Sequence, residues 1–281
     1  MIDALPSTGS ILSQDEQTML ERVPSDGTTI GNKSLREALG WDDQRYFSVK
    51  NKLVADRLLA RGRGKGGAVR KIVINAIPVN HASGSTSDLN PPTVNHVAGR
   101  IKELDLYDPM KKVIESEWAL DNNWTGGDFV VEVTGKQGSK QTGGKWSRPD
   151  ITLLGVRRFS YLPTKYFEVI TFEIKPCDDF DVTVVYEALG HRRAATRSYA
   201  LIHLPTYDTN ELTDFDKKAL DDICYEAKTQ GVGVIVAQDP SDYDTWEELV
   251  EATRCEPDPE KLEQFLGFQL GSKRDWLRTH Y

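Results

Sequence analysis

The 281-residue chain has only three cysteines, three methionines and five histidines. Cys177, Cys224 and Cys255 stand far apart, outside any CxxC or Cys/His spacing. That excludes a recognisable zinc site, and the odd count argues against a disulfide framework. A reducing, cytoplasmic setting is the expectation. No run of about 18 apolar residues occurs, so neither a membrane span nor a membrane partner is expected. The opening MIDALPSTGSILSQDEQ lacks a basic start and a long apolar stretch, so it does not read as a secretory signal. No internal repeat is visible. What is present is a globular composition, 38% hydrophobic and 28% charged.

The net charge of −8 is unevenly spread. Residues 1–75 hold 12 Lys and Arg against 9 Asp and Glu, whereas residues 76–281 hold 23 against 34. An acidic segment can still act on nucleic acid when divalent ions bridge its carboxylates to phosphates. The polar, Ser-, Asn- and Pro-rich stretch IPVNHASGSTSDLNPPTVNHV has linker composition. The expected division is therefore 1–76, a linker over 77–97, and 98–281.

In the first part, Ser13 and Glu16 form a capping-box pattern ahead of a helix. A second helix starts near Asn32 or Lys33 and stops at Gly40, and DDQRYFSVKNKLVADRLLARG gives a third. ARGRGKGGAVRKIVI reads as two strands around a glycine-rich turn. Three helices followed by a basic hairpin resemble a winged helix-turn-helix domain. The resemblance implies a third helix in the DNA major groove and a hairpin on the phosphates. Carried onto this chain, the helix offers Gln44, Arg45, Lys50 and Lys52, and the wing offers Arg61, Arg63, Lys65, Arg70 and Lys71. The competing reading is a docking or dimerisation module with solvated charges.

The second part reads α-β-β-β-α-β, a mixed sheet with helices on its faces. Its first helix is expected to be capped by Asp108 with Pro109 next. Further on come a helix, a strand, and helices that include YDTWEELVEA. On the strand YFEVITFEIK, Glu173 and Lys175 share a face with Phe167, Val169 and Thr171. Charge on a buried strand needs a partner. Asp150 heads the preceding strand, and a hairpin would bring it beside Glu173. Two buried carboxylates so placed call for a divalent cation.

Pro149-Asp150 with Glu173-Ile174-Lys175, on adjacent strands and within that element order, resembles the PD-(D/E)xK nuclease superfamily, over roughly residues 100–240. The resemblance implies an α/β, mixed-sheet, restriction-endonuclease-like core preceded by a small winged-helix domain. It implies Mg²⁺, with Mn²⁺ able to substitute, held by Asp150, Glu173 and the carbonyl of Ile174. Lys175 would assist the attacking water. The family often adds an acid from the preceding helix, and here the apolar stripe Met110, Val113, Ile114 selects Glu117 over Glu115. The implied activity is DNA phosphodiester hydrolysis, in a setting of restriction or anti-phage defence. Cutting both strands calls for two sites, hence a homodimer. A structural Glu173–Lys175 ion pair is the competing account of the motif.

Lesser signals accompany this group. GKQGSKQTGGKWSR fails the phosphate-loop pattern, and its Lys136, Lys140, Lys145 and Arg148 suit a hairpin near a nucleic-acid backbone. His191 reads as a surface or core histidine. Glu187, four residues earlier on the same side, could support the site. Two other functions stay open: a DNA-binding regulator with an inactive nuclease-like scaffold, and an RNA-directed nuclease.

Overall fold

A computed structural model describes residues 12–62, 67–72, 101–124, 127–136, 148–207 and 212–280. The expected linker and the basic residues Arg63, Lys65, Lys140 and Lys145 lie outside the described residues.

The first part runs α1 (Gln14–Arg22), β1 (Ile30–Gly31), α2 (Asn32–Leu39), α3 (Asp43–Ala55), β2 (Leu59–Arg61) and β3 (Ala68–Lys71). The capping box forms: Ser13 N–H donates to Glu16 Oε2 at 2.9 Å, and Glu16 N–H to Ser13 Oγ at 3.3 Å. Gly40 closes α2 at φ +63°, in the left-handed region that glycine tolerates. The three short strands make an antiparallel sheet in the order β1-β3-β2.

The second part begins with α4 (Glu103–Val113), a π-helical turn (Ile114–Trp118) and α5 (Ala119–Asp121). It continues through β4 (Phe129–Val133), β5 (Ile151–Arg157), β6 (Tyr166–Lys175), α6 (Thr183–His191), β7 (Arg197–His203), α7 (Asp214–Gln230), β8 (Gly233–Ala237) and β9 (Trp246–Val250). Helices α8 (Pro259–Gln269) and α9 (Arg274–His280) follow. The protein is thus a mixed α/β structure. Its six-stranded sheet runs β4-β5-β6-β7-β8-β9, parallel at β6–β7 and β7–β8 and antiparallel elsewhere. One face buries Phe172 and Tyr199, stacked at 5.5 Å, under the edge of Trp118. The other is covered by Val184, Val185 and Ala188 of α6 and Ile223 of α7. No helix among the described residues is long and apolar enough to cross a membrane.

Two elements depart from the sequence expectation. Helix α4 starts at Glu103, so Pro109 lies inside it rather than in its first turn. Burial of Leu106 and Tyr107 outweighs the backbone bond that proline cannot make. The segment WEELV is a strand and not a helix, because its edge pairing with β8 (Ala237 opposite Trp246, Val236 opposite Glu247) decides the matter.

The two parts pack together and share one core cluster, from Met19, Leu35 and Leu53 to Trp118 and Tyr243. Lys50 of α3 and Asp121 of α5 form a fully buried ion pair at 2.8 Å. Tyr243 OH donates to Asp121 Oδ2 at 2.9 Å, and Arg61 donates to Asp121 O at 3.0 Å. Asn51 reaches Leu120 O, and Lys33 N–H reaches Asp244 Oδ2. At Gly67 the approach is so tight that a Cβ would fall 2.2 Å from Asp244 Cα, which only glycine avoids.

Candidate active site

Antiparallel pairing of β5 with β6 places Ile151 opposite Phe172, so Asp150 lies next to Glu173 on the neighbouring strand. The hairpin expected from the sequence forms, and Asp150 N–H donates to Phe172 O at 3.1 Å. Asp150 is 6% exposed and Glu173 8%. Asp150 Oδ2 accepts from Ile174 N–H at 2.7 Å, and Oδ1 accepts from Tyr107 OH. Tyr107 OH also lies 2.5 Å from Glu103 Oε1. Both partners come from α4, whose i, i+4 spacing puts Glu103 and Tyr107 on one face.

Lys175 Nζ sits among three carboxylates: 2.7 Å from Glu187, 3.2 Å from Glu173 and 3.7 Å from Glu103. With Asp150, four acids surround one lysine. Burial lifts the Asp150 carboxyl to about 7, against which the Tyr107 and Ile174 hydrogen bonds pull it down. Burial and then the Asp150 charge raise Glu173 well above the usual carboxylate range. Burial works to lower Lys175, but Glu173, Glu187 and Glu103 outweigh it, so the ammonium is held more firmly than usual. His191 is buried and held neutral, lowered to about 3 by desolvation and then by Lys175. Its 3.6 Å approach to Glu173 is therefore not an ion pair.

The site residues converge only in part. Asp150, Glu173 and Lys175 meet, and Ile174 joins them through its N–H. Glu117 does not. It lies on the π-helical turn, 3.4 Å from Arg36, with Asp43, Asp242 and Asp244 as its charged neighbours. Glu103 is the α4 acid that reaches Lys175. It escapes sequence reading because the helix was expected to begin after it. Its one signal is the spacing to Tyr107, an acid and a phenol on one helical face.

The residues expected to contact nucleic acid are also redistributed. Lys50 is buried against Asp121 and presents nothing to a ligand. Arg45 pairs with Asp15 at 2.7 Å, and Lys52 pairs with Glu16, both acids of α1. Gln44 borders a shallow groove with Glu115, Ser116 and Phe129 of the second part. Arg61 faces Asp121, Arg70 and Lys71 lie half-buried on β3, and Lys136 pairs with Asp108.

Among the described residues, no group of three or more His, Cys, Asp or Glu side chains is arranged to hold a metal ion. The donor set nonetheless fits a hard cation: two adjacent buried carboxylates supply oxygens, and one lysine does not balance four acids. A magnesium-type ion keeps several waters, so two carboxylates need only backbone or water oxygens beside them.

The raised Asp150 pKa predicts a pH signature without divalent ions. Below about pH 4 the carboxyl is protonated in folded and unfolded chains alike, and it costs nothing. As pH rises towards 7 the unfolded chain loses this proton first, so folding stability falls, by at most about 4 kcal/mol from this group. Thermal melts in EDTA should show that decline between pH 4 and 7. Glu173→Gln, which removes the second carboxyl raised by burial and by the Asp150 charge, should lessen the decline and raise the melting temperature at neutral pH. A flat wild-type profile would contradict the crowding.

No family model matches the chain, and no curated protein matches it. Among solved structures it is similar to the SPO1766 protein of unknown function from Silicibacter pomeroyi, at 15% identity and a TM-score of 0.28, over 54% of this chain and 78% of that one. A likeness at that level carries no argument about fold or function.

Proposed function

We propose that the chain is a divalent-metal-dependent DNA endonuclease of the PD-(D/E)xK type, with an N-terminal winged helix-turn-helix module and a role in restriction or anti-phage defence. The observation that carries the reading is the meeting of Asp150 and Glu173 on adjacent strands with Lys175 alongside. The element order α4-β4-β5-β6-α6-β7 supports a restriction-endonuclease-like core. The order α1-β1-α2-α3-β2-β3 supports a winged helix.

In this reading Asp150, Glu173 and the Ile174 carbonyl hold Mg²⁺ or Mn²⁺. Bound there, the ion would supply Lewis acidity at the scissile phosphate and a more acidic water. The Ile174 N–H and Tyr107 OH fix the Asp150 carboxylate, so its orientation is set before substrate arrives. Lys175, kept protonated by its carboxylates, acts as a positive charge that orients water and stabilises the developing oxyanion, and not as a base. Glu103 and Glu187 hold Lys175 Nζ in place. Neutral His191 backs Glu173 without competing for Lys175.

The burial of Lys50 and the pairing of Arg45 and Lys52 favour a winged module that docks onto the core more than it reads bases. The test is incubation of supercoiled plasmid and, in parallel, single-stranded RNA with purified protein and Mg²⁺. The proposal expects nicking or linearisation of the plasmid, stopped by EDTA. Cleavage of RNA alone would reassign the substrate. No cleavage of either with Mg²⁺ or Mn²⁺ would favour an inactive scaffold on a DNA-binding regulator.

A further inference from the structure

Helix α7 buries Leu220, Ile223 and Ala227 in the core and turns its other side to solvent. That side carries Phe215 and Tyr225, 79% and 76% exposed, about 15 Å apart along the helix. Exposed Lys218 and Asp222 lie between them. The steps from Phe215 through Lys218 and Asp222 to Tyr225 alternate between three and four residues, the a/d spacing of a helix-pairing seam. We propose that this seam is a homodimer interface, in which α7 packs antiparallel against α7 of a second copy. The homodimer expected from double-strand cutting has no surface assigned to it by the sequence. This surface follows from the helix itself and does not depend on hydrolysis at Asp150 and Glu173.

The order of these residues is self-complementary. Both pairs are centred on position 220, so a two-fold axis at that level sets Phe215 against the partner's Tyr225 and Lys218 against the partner's Asp222, each contact made twice. Aromatic meets aromatic, and cation meets anion. Among the described residues, neither Lys218 nor Asp222 has an ion pair within the chain, whereas the adjacent Lys217 has Asp214. Val182 and Tyr186 of α6, 37% and 41% exposed, border the seam: Tyr186 lies beside Glu226, one turn on from Asp222. An unlike partner would not require charges that mirror each other about one point. Nucleic acid or an anionic lipid surface is disfavoured, because α7 carries five acids against three lysines. The rings of two copies would cover about 600–1,000 Å², at the low end for specific interfaces. Asp221, next to the axis, repels its own copy. A reversible dimer in the micromolar range is therefore expected.

Sedimentation equilibrium of the full chain in EDTA, without nucleic acid, tests this. The wild type should pass from monomer to dimer as its concentration rises. Lys218→Glu and Asp222→Lys should each weaken the dimer about tenfold or more, since each brings like charges together at both copies of the contact. Phe215→Ser should weaken it on the order of a hundredfold. All three side chains are exposed, so the variants should fold, and unchanged melting temperatures in dilute solution check that they do. The decisive sample is the mixture of the Lys218→Glu and Asp222→Lys chains. Each pairs poorly with itself, yet the two should pair with one another at close to wild-type strength, because every cation then meets an anion. A wild type that stays monomeric at every accessible concentration overturns the proposal and leaves the seam to an unlike partner. A dimer that these substitutions do not weaken, or a mixture that does not pair, overturns it as well. Plasmid cleavage is read separately, so failure of either result leaves the other standing.

Discussion

Lys175→Ala is expected to lower the rate of metal-dependent plasmid cleavage by about 10²–10³-fold at saturating Mg²⁺ or Mn²⁺. The ammonium is the one positive charge that the described residues place among Asp150, Glu173, Glu187 and Glu103. Removing it takes away the charge that faces the developing oxyanion and leaves the oxygen donors in place. The variant should therefore still bind Mn²⁺, and its loss should appear in kcat more than in KM. In EDTA it should melt lower than the wild type, since the acids lose their counterion, and added Mn²⁺ should recover much of that difference. If Glu173–Lys175 were only a structural ion pair, stability would fall while cleavage by the folded variant stayed the same. Equal cleavage by Lys175→Ala and wild type would contradict the proposed chemistry.

Lys50→Ala should cost about 3 kcal/mol of stability, because it leaves the buried Asp121 carboxylate with only Arg61, 3.4 Å away, and the Tyr243 hydroxyl in place of its close ion pair. For a chain of this size that corresponds to a drop in melting temperature on the order of 10 °C. Burial pulls the Lys50 pKa down and Asp121 pushes it back, the signature of a pair that stands or falls together. The double variant Lys50→Met, Asp121→Leu should recover most of the loss, since apolar residues of similar volume replace a buried pair at little cost. The same substitution separates docking from DNA reading. If Lys50 contacted phosphate, Lys50→Ala would weaken DNA binding with little change in melting temperature. The structure predicts the opposite pattern.

These two lysines show which parts of the molecule can be read from sequence. Lys175 stands out because strand alternation puts a charge on the face that also carries Val169 and Thr171, and the nearest explanations, Glu173 and Asp150, lie two residues away and on the next strand. The capping box at Ser13 and the stop at Gly40 are local in the same way, and both form. Lys50 looks like an ordinary helix-surface charge, because its partner is 71 residues further along the chain and no local pattern marks it. Glu103 and Glu117 exchange roles for a related reason. The helix begins earlier than its Asp-Pro signal suggests, and Glu117 lies inside the π-helical turn, where the 3.6-residue spacing counted from Met110 no longer holds. The strand Trp246–Val250 follows from β8 offering an edge, which a helix-like run of acids and leucine does not reveal. Tertiary pairing, not local propensity, decides each of these cases.

The claim on which the functional account stands is that Asp150 and Glu173 share one cation. Anomalous diffraction from crystals soaked in Mn²⁺ tests it directly. The account predicts a single peak about 2 Å from a carboxylate oxygen of each residue, absent in crystals of Glu173→Gln. A peak elsewhere, or none at this pair in crystals that bind Mn²⁺, would contradict it.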